Sequence, residues 1–143
     1  MNGWLVVDKA AGMTSRDAVN RVQRWFPRGA KIGHTGTLDP LATGVLVLCI
    51  GSTTKLAHVV QGMGKSYTST FRLGATSDTD DADGTVTATP DAADPGEDRV
   101  REALAGFVGT IEQLPPAFSA LKVNGERAYD LARKGTAVTL APR

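Results

Sequence analysis

The side chains best able to do chemistry are gathered in one glycine-rich stretch, residues 31–44, which reads KIGHTGTLDPLATG. It contains one carboxylate, Asp39, directly before Pro40, and one imidazole, His34. Glycines allow a backbone to approach a ligand closely, and the proline stiffens the chain after the carboxylate. A carboxylate can serve as nucleophile, base or metal ligand, and an imidazole can stack on a nucleobase. The stretch is a candidate site, with a turn aspartate and a structural histidine as alternatives.

Metal and nucleotide sites are poorly matched by this stretch. A metal site needs several Asp, Glu or His residues at ligand spacing, and no carboxylate other than Asp39 lies between Asp17 and Asp78. The glycines are not followed by the GKS or GKT of a phosphate loop, and no G-x-G-x-x-G opens a helix. The sequence therefore argues against a nucleotide-binding fold and predicts no metal.

The acidic loop 76–84, TSDTDDADG, raises a calcium-binding domain as an alternative. Aligning Gly84 with the glycine of an EF-hand loop puts Thr79 at the first ligand position and Pro90 at the last. Both essential ligands are then missing, so a solvated turn is favoured. Calcium titration by calorimetry separates the two interpretations.

Runs and alternation of apolar residues predict the strands that must position the candidate site. The glycine-rich stretch is followed directly by VLVLCI, a run typical of a buried strand. The predicted strands are residues 4–9, 45–50, 66–74 and 85–89. A hairpin is predicted at Asn124-Gly125, and Val138 begins a further strand pattern.

Helical spacing of apolar residues predicts the helices. The first has Thr14 or Ser15 as N-cap, with Asp17 as the acidic partner of a capping box. Its apolar positions are Val19, Val22, Trp25 and Phe26, and Pro27 ends it. Thr53 or Thr54 is predicted to cap a helix over 55–63, and further helices are predicted over 97–109 and before Gly135.

The mixture of strands and helices lacks a regular βαβ rhythm, which favours an α+β fold with a mixed, mostly antiparallel sheet flanked by helices. At 143 residues the chain is one domain or a piece of one. The single cysteine, Cys49, cannot form an internal disulfide, and its apolar neighbours predict a buried thiol. No signal peptide is visible and the apolar runs are too short to cross a bilayer, so a cytoplasmic location is expected.

The charge is unevenly distributed along the chain. Residues 1–72 carry nine Lys and Arg against three Asp and Glu, a net charge of +6. Residues 73–98 carry a net charge of −8 and residues 99–143 a net charge of +3. A basic amino-terminal half could meet phosphate groups, or its cations could simply solvate helix faces.

Together these segments resemble the TruB family of pseudouridine synthases, bacterial enzymes that modify the T-arm of tRNA. The segment GHTGTLDPLATGVLVLCIGSTTK resembles the family signature, and VVDKAAGMTS resembles its first motif, with Ala10 where proline is common. KSYTSTFRLGATSDTDDADG and PPAFSALKVNGERAYDLARKG resemble two later blocks. The order and spacing of these motifs match across nearly all of the chain.

The resemblance implies roles for individual residues. Asp39 matches the catalytic nucleophile, and His34 matches the residue that holds the T-loop open with its uridine flipped out. Tyr67 matches the tyrosine that stacks on the flipped base and moves a proton. Asp81 matches an acidic residue near the flipped nucleotides. Three lysines in the motif blocks are expected to meet backbone phosphates or to brace the cleft: Lys9, Lys65 and Lys122.

The resemblance also implies the reaction and the partners. A uridine at position 55 in the T-loop of tRNA is converted to pseudouridine, with no cofactor and no metal. The expected protein is a monomer without an obligate protein partner or membrane attachment, with a central RNA-binding cleft. A non-catalytic RNA-binding or folding module on the same fold is the alternative, and its activity would survive Asp39→Asn.

The resemblance covers the amino-terminal part of the family's catalytic domain, here residues 1–143. The later GTYIR-like motif, whose arginine pairs with the catalytic aspartate, does not occur in this sequence. The carboxy-terminal RNA-binding module is not matched either. We therefore expect the 143-residue chain to be weakly active or inactive by itself.

Overall fold

Two compact units divide the chain, Met1–Ser69 and Thr70–Arg143. The structure, a computed structural model, describes residues 1–116, 121–123, 125–128 and 140–142. Each unit is described by itself.

A three-stranded antiparallel sheet organises the first unit. Its strands are β1 (Gly3–Lys9), β2 (Ile32–His34) and β3 (Gly44–Ile50), and β3 lies between the other two. The register pairs Lys9 with Gly44 and His34 with Leu48. The end of β1 therefore lies beside the start of β3, whereas the end of β2 lies beside the middle of β3. The strands predicted over 4–9 and 45–50 are confirmed.

Helix α1 (Ser15–Gln23) packs its apolar stripe on one face of this sheet. The buried residues of this small core are Ala18, Val19, Val22, Leu46 and Leu48. Thr14 is the N-cap, and the predicted capping box is confirmed. The Thr14 hydroxyl accepts the Asp17 N–H, and Asp17 Oδ2 accepts the Thr14 N–H at 2.9 Å. Two of the donors left unpaired at a helix start are thus satisfied.

The predicted end of α1 at Pro27 is wrong, because the helix ends at Gln23. The Trp25 N–H donates to the Val22 carbonyl oxygen and the Phe26 N–H to that of Gln23. Such bonds to the third preceding residue tighten the last turn and shift the following side chains around the axis. Trp25 consequently points to solvent with 73% of its surface exposed, while Phe26 packs against the core.

The segment after β3 is also wound more tightly than predicted. A 3-10 helix (Gly51–Leu56) precedes a short α2 (Ala57–Gln61), whereas one helix was predicted over 55–63. The Thr53 hydroxyl accepts the Ile50 N–H and donates to the Gly3 carbonyl oxygen at 2.8 Å. Thr53 therefore joins the end of β3 to the start of β1.

The strand predicted over 66–74 is wrong. Residues 64–72 form neither helix nor strand and are exposed throughout. Tyr67 and Phe71 expose 71% and 81% of their surfaces. Alternating residues form a stable strand only where a neighbouring strand completes the hydrogen bonds and a core covers the apolar side. No strand in the described ranges pairs with this segment.

The second unit contains two short hairpins and one helix. Strands β4 (Ala75–Ser77) and β5 (Val86–Ala88) pair antiparallel, which confirms the strand predicted over 85–89. Helix α3 (Gly96–Ala105) confirms the predicted helix over 97–109, although it ends four residues earlier.

The predicted hairpin at Asn124-Gly125 is confirmed by β6 (Lys122–Val123) and β7 (Glu126–Arg127), which pair antiparallel. Gly125 has a φ of +91°, a conformation that suits glycine at such a turn. Asn124 itself, the helix predicted before Gly135 and the strand pattern from Val138 lie outside the described residues, except Leu140, which is in neither helix nor strand.

All three described sheets are antiparallel and occur with helices, which confirms the α+β class. The central cleft stays a prediction. Cys49 is fully buried, as predicted, and burial raises the pKa of its thiol. None of the helices described is long and apolar enough to cross a membrane.

A buried ammonium group connects β1 to the loop that follows β2. Lys9 is the last residue of β1 and only 1% exposed. Its Nζ donates to the carbonyl oxygens of Met13 at 2.7 Å, Ala10 at 3.1 Å and Pro40 at 3.4 Å. A lysine ammonium has three protons, so all of its donors are used. These bonds brace the Asp39 loop against the end of β1, while the predicted phosphate contact of Lys9 and its bracing of the cleft stay predictions.

Replacing Lys9 should destabilise the first unit. In Lys9→Met the stem keeps its packing, but the carbonyl oxygens of Ala10, Met13 and Pro40 lose the ammonium donor. We expect the free energy of unfolding to fall by about 2–3 kcal/mol, measured by urea denaturation. The exposed Lys55→Met is the matched control and should change it by less than about 0.5 kcal/mol. Equal effects of the two substitutions would contradict the bracing role.

The capping box should make stability depend on pH. Hydrogen bonds from the Thr14 hydroxyl and backbone lower the pKa of Asp17 below its ordinary 3.8. Because the folded pKa is lowered, this contribution is fully present above pH 3.8 and is lost as the pH falls through the folded value. Asp17→Asn should therefore be less stable than the parent at pH 6, and the difference should shrink at pH 3. Urea midpoints at both pH values measure this, and a difference that does not change with pH would contradict it.

Candidate active site

The loop that carries Asp39 spans residues 35–43 and joins β2 to β3 at one edge of the sheet. Its first residue, Thr35, is buried and continues the pairing with β3. The Thr35 N–H and hydroxyl both donate to the Val47 carbonyl oxygen, at 3.0 and 3.2 Å. Further along, the Ala42 N–H donates to the Asp39 carbonyl oxygen at 3.0 Å. The loop is therefore a hydrogen-bonded turn rather than a loose connection.

Both neighbours of Asp39 are held by residues from elsewhere in the first unit. On one side, the buried Ser15 hydroxyl accepts the Leu38 N–H at 2.9 Å and donates to the Leu38 carbonyl oxygen at 3.2 Å. On the other side, the Pro40 carbonyl oxygen accepts the Gly12 N–H at 2.8 Å and the Lys9 ammonium. The backbone is thus fixed immediately before and after the carboxylate.

The Asp39 side chain itself is exposed. Among the residues that the structure describes, no cation forms an ion pair with it and no donor bonds to its oxygens. The geometry is that of a carboxylate presented to solvent on a rigid support. Such a group can act as nucleophile or base toward a ligand that approaches the loop.

His34 ends β2 and stands next to this loop. It is half-buried, and its Nδ1 is buried without a hydrogen-bond partner in the described part of the chain. A buried polar atom without a partner is unfavourable by about 1–3 kcal/mol. The ring is thus held at the edge of the Asp39 loop with one nitrogen unsatisfied.

Lys65 and Tyr67 lie after α2, in the exposed segment that forms neither helix nor strand. Lys65 Nζ donates to the carbonyl oxygens of Gln61 at 2.6 Å and Met63 at 3.1 Å. Lysine commonly satisfies the last carbonyls of a helix in this way. Tyr67 makes no hydrogen bond in the described ranges, so its ring and hydroxyl are open to a ligand.

Asp81 and Lys122 belong to the second unit. Asp81 is exposed in the turn between β4 and β5, and its Oδ1 accepts the Thr79 hydroxyl at 2.6 Å and the Asp83 N–H at 3.0 Å. Lys122 begins β6 and pairs with Arg127. The structure joins Lys9 to the Asp39 loop, and the roles of Asp81 and Lys122 stay predictions.

The calcium interpretation of the loop 76–84 gains no support. Within the described residues no three or more His, Cys, Asp or Glu side chains group together as a metal site. The Asp78 Oδ1 accepts the Thr85 N–H at 2.7 Å, and Asp81 accepts two donors of its own turn. These carboxylates hold the turn between β4 and β5.

Sequence reasoning missed the contact of Ser15 with Leu38. The signal was present, because two candidate cap residues stood side by side and a helix needs one N-cap. Thr14 takes that position, which leaves the Ser15 hydroxyl free for another partner. The identity of that partner, 23 positions away, follows from the sheet and could not be read from local pattern.

Comparison with known proteins places this chain in a family. Residues 24–143 match the model of the TruB family pseudouridylate synthase (N terminal domain). The whole chain is 53% identical to tRNA pseudouridine synthase B of Roseobacter denitrificans and covers 46% of it. It is 52% identical to the protein of that name from Ruegeria sp. (strain TM1040), covering 47%, and 53% identical to that of Gluconacetobacter diazotrophicus, covering 46%.

The chain thus spans a little under half the length of these relatives. Their match includes the first motif, around Lys9 and Ser15, which lies before the region covered by the family model. From its match over 120 of 143 residues (24–143) we conclude that the chain belongs to the TruB family of pseudouridylate synthases.

Proposed function

We propose that this chain forms part of a cytoplasmic enzyme that isomerises a uridine of tRNA, at position 55 in the T-loop, to pseudouridine. The observation that carries the proposal is the Asp39 carboxylate, exposed on a loop whose two neighbouring residues are fixed by Ser15 on one side and by Lys9 and Gly12 on the other. The names of the relatives support tRNA as the substrate.

The reaction rearranges the nucleotide without adding a group. The N1–C1′ bond breaks, the base turns, and a C5–C1′ bond forms; a proton leaves C5 and N1 gains one. The balance requires no oxidant, reductant or group donor. In this proposal Asp39 acts at C1′ or C6 of the target, or assists a glycal intermediate.

Access to the uridine requires base flipping, because a base stacked in a folded loop hides its reactive atoms. Extrusion costs a few kcal/mol, and stacking on an aromatic ring recovers about 1–3 kcal/mol per base. The exposed ring of Tyr67 suits this role. The ring of His34, held beside the Asp39 loop with an unsatisfied nitrogen, suits contact with the opened T-loop.

The charge distribution supports an RNA partner. Residues 1–72 carry a net charge of +6, and the exposed cations of α1 and of the turn after it, such as Arg16, Arg24 and Arg28, lie in the unit that holds Asp39. A basic surface draws a polyanion toward the site and makes binding depend on salt. In this proposal Lys65 and Lys122 contribute to the attraction, and Asp81 lies near the flipped nucleotides.

Loss of the carboxylate should abolish turnover. The assay measures tritium released from a [5-³H]uridine tRNA transcript by a full-length synthase that carries residues 1–143 of this sequence at its amino end. Asp39→Asn should slow release at least about a thousand-fold, because the residue that forms the intermediate is removed. Asp98→Asn, an exposed aspartate of α3, should leave release unchanged.

Equal release by Asp39→Asn and the parent would refute the nucleophile assignment, whereas RNA binding without release by either protein would favour the non-catalytic RNA-binding module. The same assay applied to the 143-residue chain alone tests whether that chain is weakly active or inactive, as expected. Because the chain spans less than half of its relatives and contains no GTYIR-like arginine for Asp39, we expect release far below that of the full-length synthase. Comparable rates would contradict this.

Two substitutions of Tyr67 separate stacking from proton transfer. Tyr67→Ala removes the ring and should weaken binding of the T-arm RNA by about 1–3 kcal/mol, since one stacked base loses its platform. Tyr67→Phe keeps the ring, so binding should be retained while the rate of tritium release falls. Filter binding and single-turnover kinetics measure the two effects. Unchanged binding and rate in both variants would exclude contact of Tyr67 with the flipped base.

A further inference from the structure

We propose that Ser15 is a positioning residue for Asp39. Its hydroxyl fixes the Leu38 peptide group, and this contact sets the rate of the reaction rather than the affinity for RNA. The inference rests on the proposed role of Asp39 and assigns a function to a residue that contacts neither the reacting atoms nor the RNA.

The contact of Ser15 with Leu38 is buried and uses both polar groups of one residue. Ser15 is 2% exposed. Its Oγ accepts the Leu38 N–H at 2.9 Å and donates to the Leu38 carbonyl oxygen at 3.2 Å. Because the side chain is sealed from solvent, bulk water cannot readily replace the hydroxyl if it is removed. The N–H and carbonyl of Leu38 would then be left without their partner.

The position of Ser15 at the start of α1 directs its hydroxyl toward the loop. A serine inside a helix usually bonds to a carbonyl of its own preceding turn. Ser15 is the first residue of α1, so no such turn precedes it, and Thr14 already performs the capping. The capping box fixes the first turn. The Ser15 hydroxyl then bonds to Leu38 in the loop, 23 positions later in the sequence.

Fixing Leu38 restricts Asp39 through the backbone. The peptide bond between them is planar, so holding the Leu38 carbonyl sets the plane in which the Asp39 N–H lies. On the far side, Pro40 disfavours the helical region for Asp39, and its own carbonyl oxygen is held by Lys9 and Gly12. The rotations about the side-chain bonds of Asp39 then remain as its main freedom. Without the Ser15 bonds, the carboxylate loses one of its two fixed supports.

The size of the effect follows from the geometry of attack. A displacement of about 1 Å at the reacting group can reduce a rate by roughly a hundred-fold. Binding of the RNA depends on charge and stacking spread over a larger surface, which Ser15 does not touch. A positioning role therefore predicts a loss in kcat with little change in KM.

The test uses the full-length synthase defined above. Ser15→Ala removes the hydroxyl, and Ser15→Cys keeps the shape but substitutes a weak donor and acceptor. Both should lower kcat for T-arm RNA by about ten- to a hundred-fold with KM within about twofold of the parent. Ser52→Ala, whose hydroxyl is exposed and makes no described contact, is the control and should match the parent. A cysteine variant with parental kcat would show that packing, not hydrogen bonding, is what Ser15 supplies, and would overturn the proposal.

Amide hydrogen exchange tests the same contact without catalysis. In Ser15→Ala the Leu38 amide should exchange at least about ten-fold faster, since its acceptor is gone, whereas the Thr35 amide, bonded to Val47, should not change. Unchanged Leu38 exchange would overturn the proposal. Faster exchange at both amides would indicate general loosening of the unit and would also overturn it. If the Asp39→Asn synthase retains activity, the proposed nucleophile fails, while the exchange at Leu38 still decides whether Ser15 holds the loop.

Discussion

The ammonium group of Lys9 is a charge removed from water, and the first unit supplies the hydrogen bonds that replace its hydration. A buried cation is tolerated when its donors are all used. Here the three acceptors are backbone carbonyls from the turn after β1 and from the loop after β2. To supply them, β1 must end where β3 begins, which the pairing of Lys9 with Gly44 achieves. The sheet register, the turn before α1 and the Asp39 loop together bring these acceptors to the ammonium group.

The loop that carries Asp39 is held by hydrogen bonds although it has no regular secondary structure. Some of its backbone groups are hydrogen-bonded to a hydroxyl from α1, to β3 and to the turn after β1. The hydrogen bonds lie on the residues that flank Asp39, and the carboxylate itself makes none in the described structure. In the proposed function, the residues that support the loop are therefore different from the carboxylate that reacts, and the carboxylate is left free for substrate.

The pattern of neighbouring residues was sufficient to predict the elements that are stabilised by local contacts or marked by a strong apolar pattern. The apolar run before Cys49 and the Thr14–Asp17 capping box could be read from neighbouring residues. The exposed Trp25 could not, because the change of winding after Gln23 decides its direction. For the site, family motifs indicated Asp39 and His34, but the burial of Lys9 was not foreseen. A lysine at the end of a strand has the same local pattern whether it faces solvent or three carbonyls, and only the tertiary register decides.

The contacts within the first unit also indicate which part of the protein can fold first during synthesis. Strands β1, β2 and β3, helix α1 and the hydrogen-bonded loop all fall within residues 3–50. Synthesis proceeds at about 5–20 residues per second, and amino-terminal parts fold first. Once Ile50 has left the ribosome, the described hydrogen-bond partners of the Lys9 and Ser15 side chains and both strands that pair with β3 are present. The support for Asp39 can thus assemble before the segment that carries Tyr67 has emerged from the ribosome.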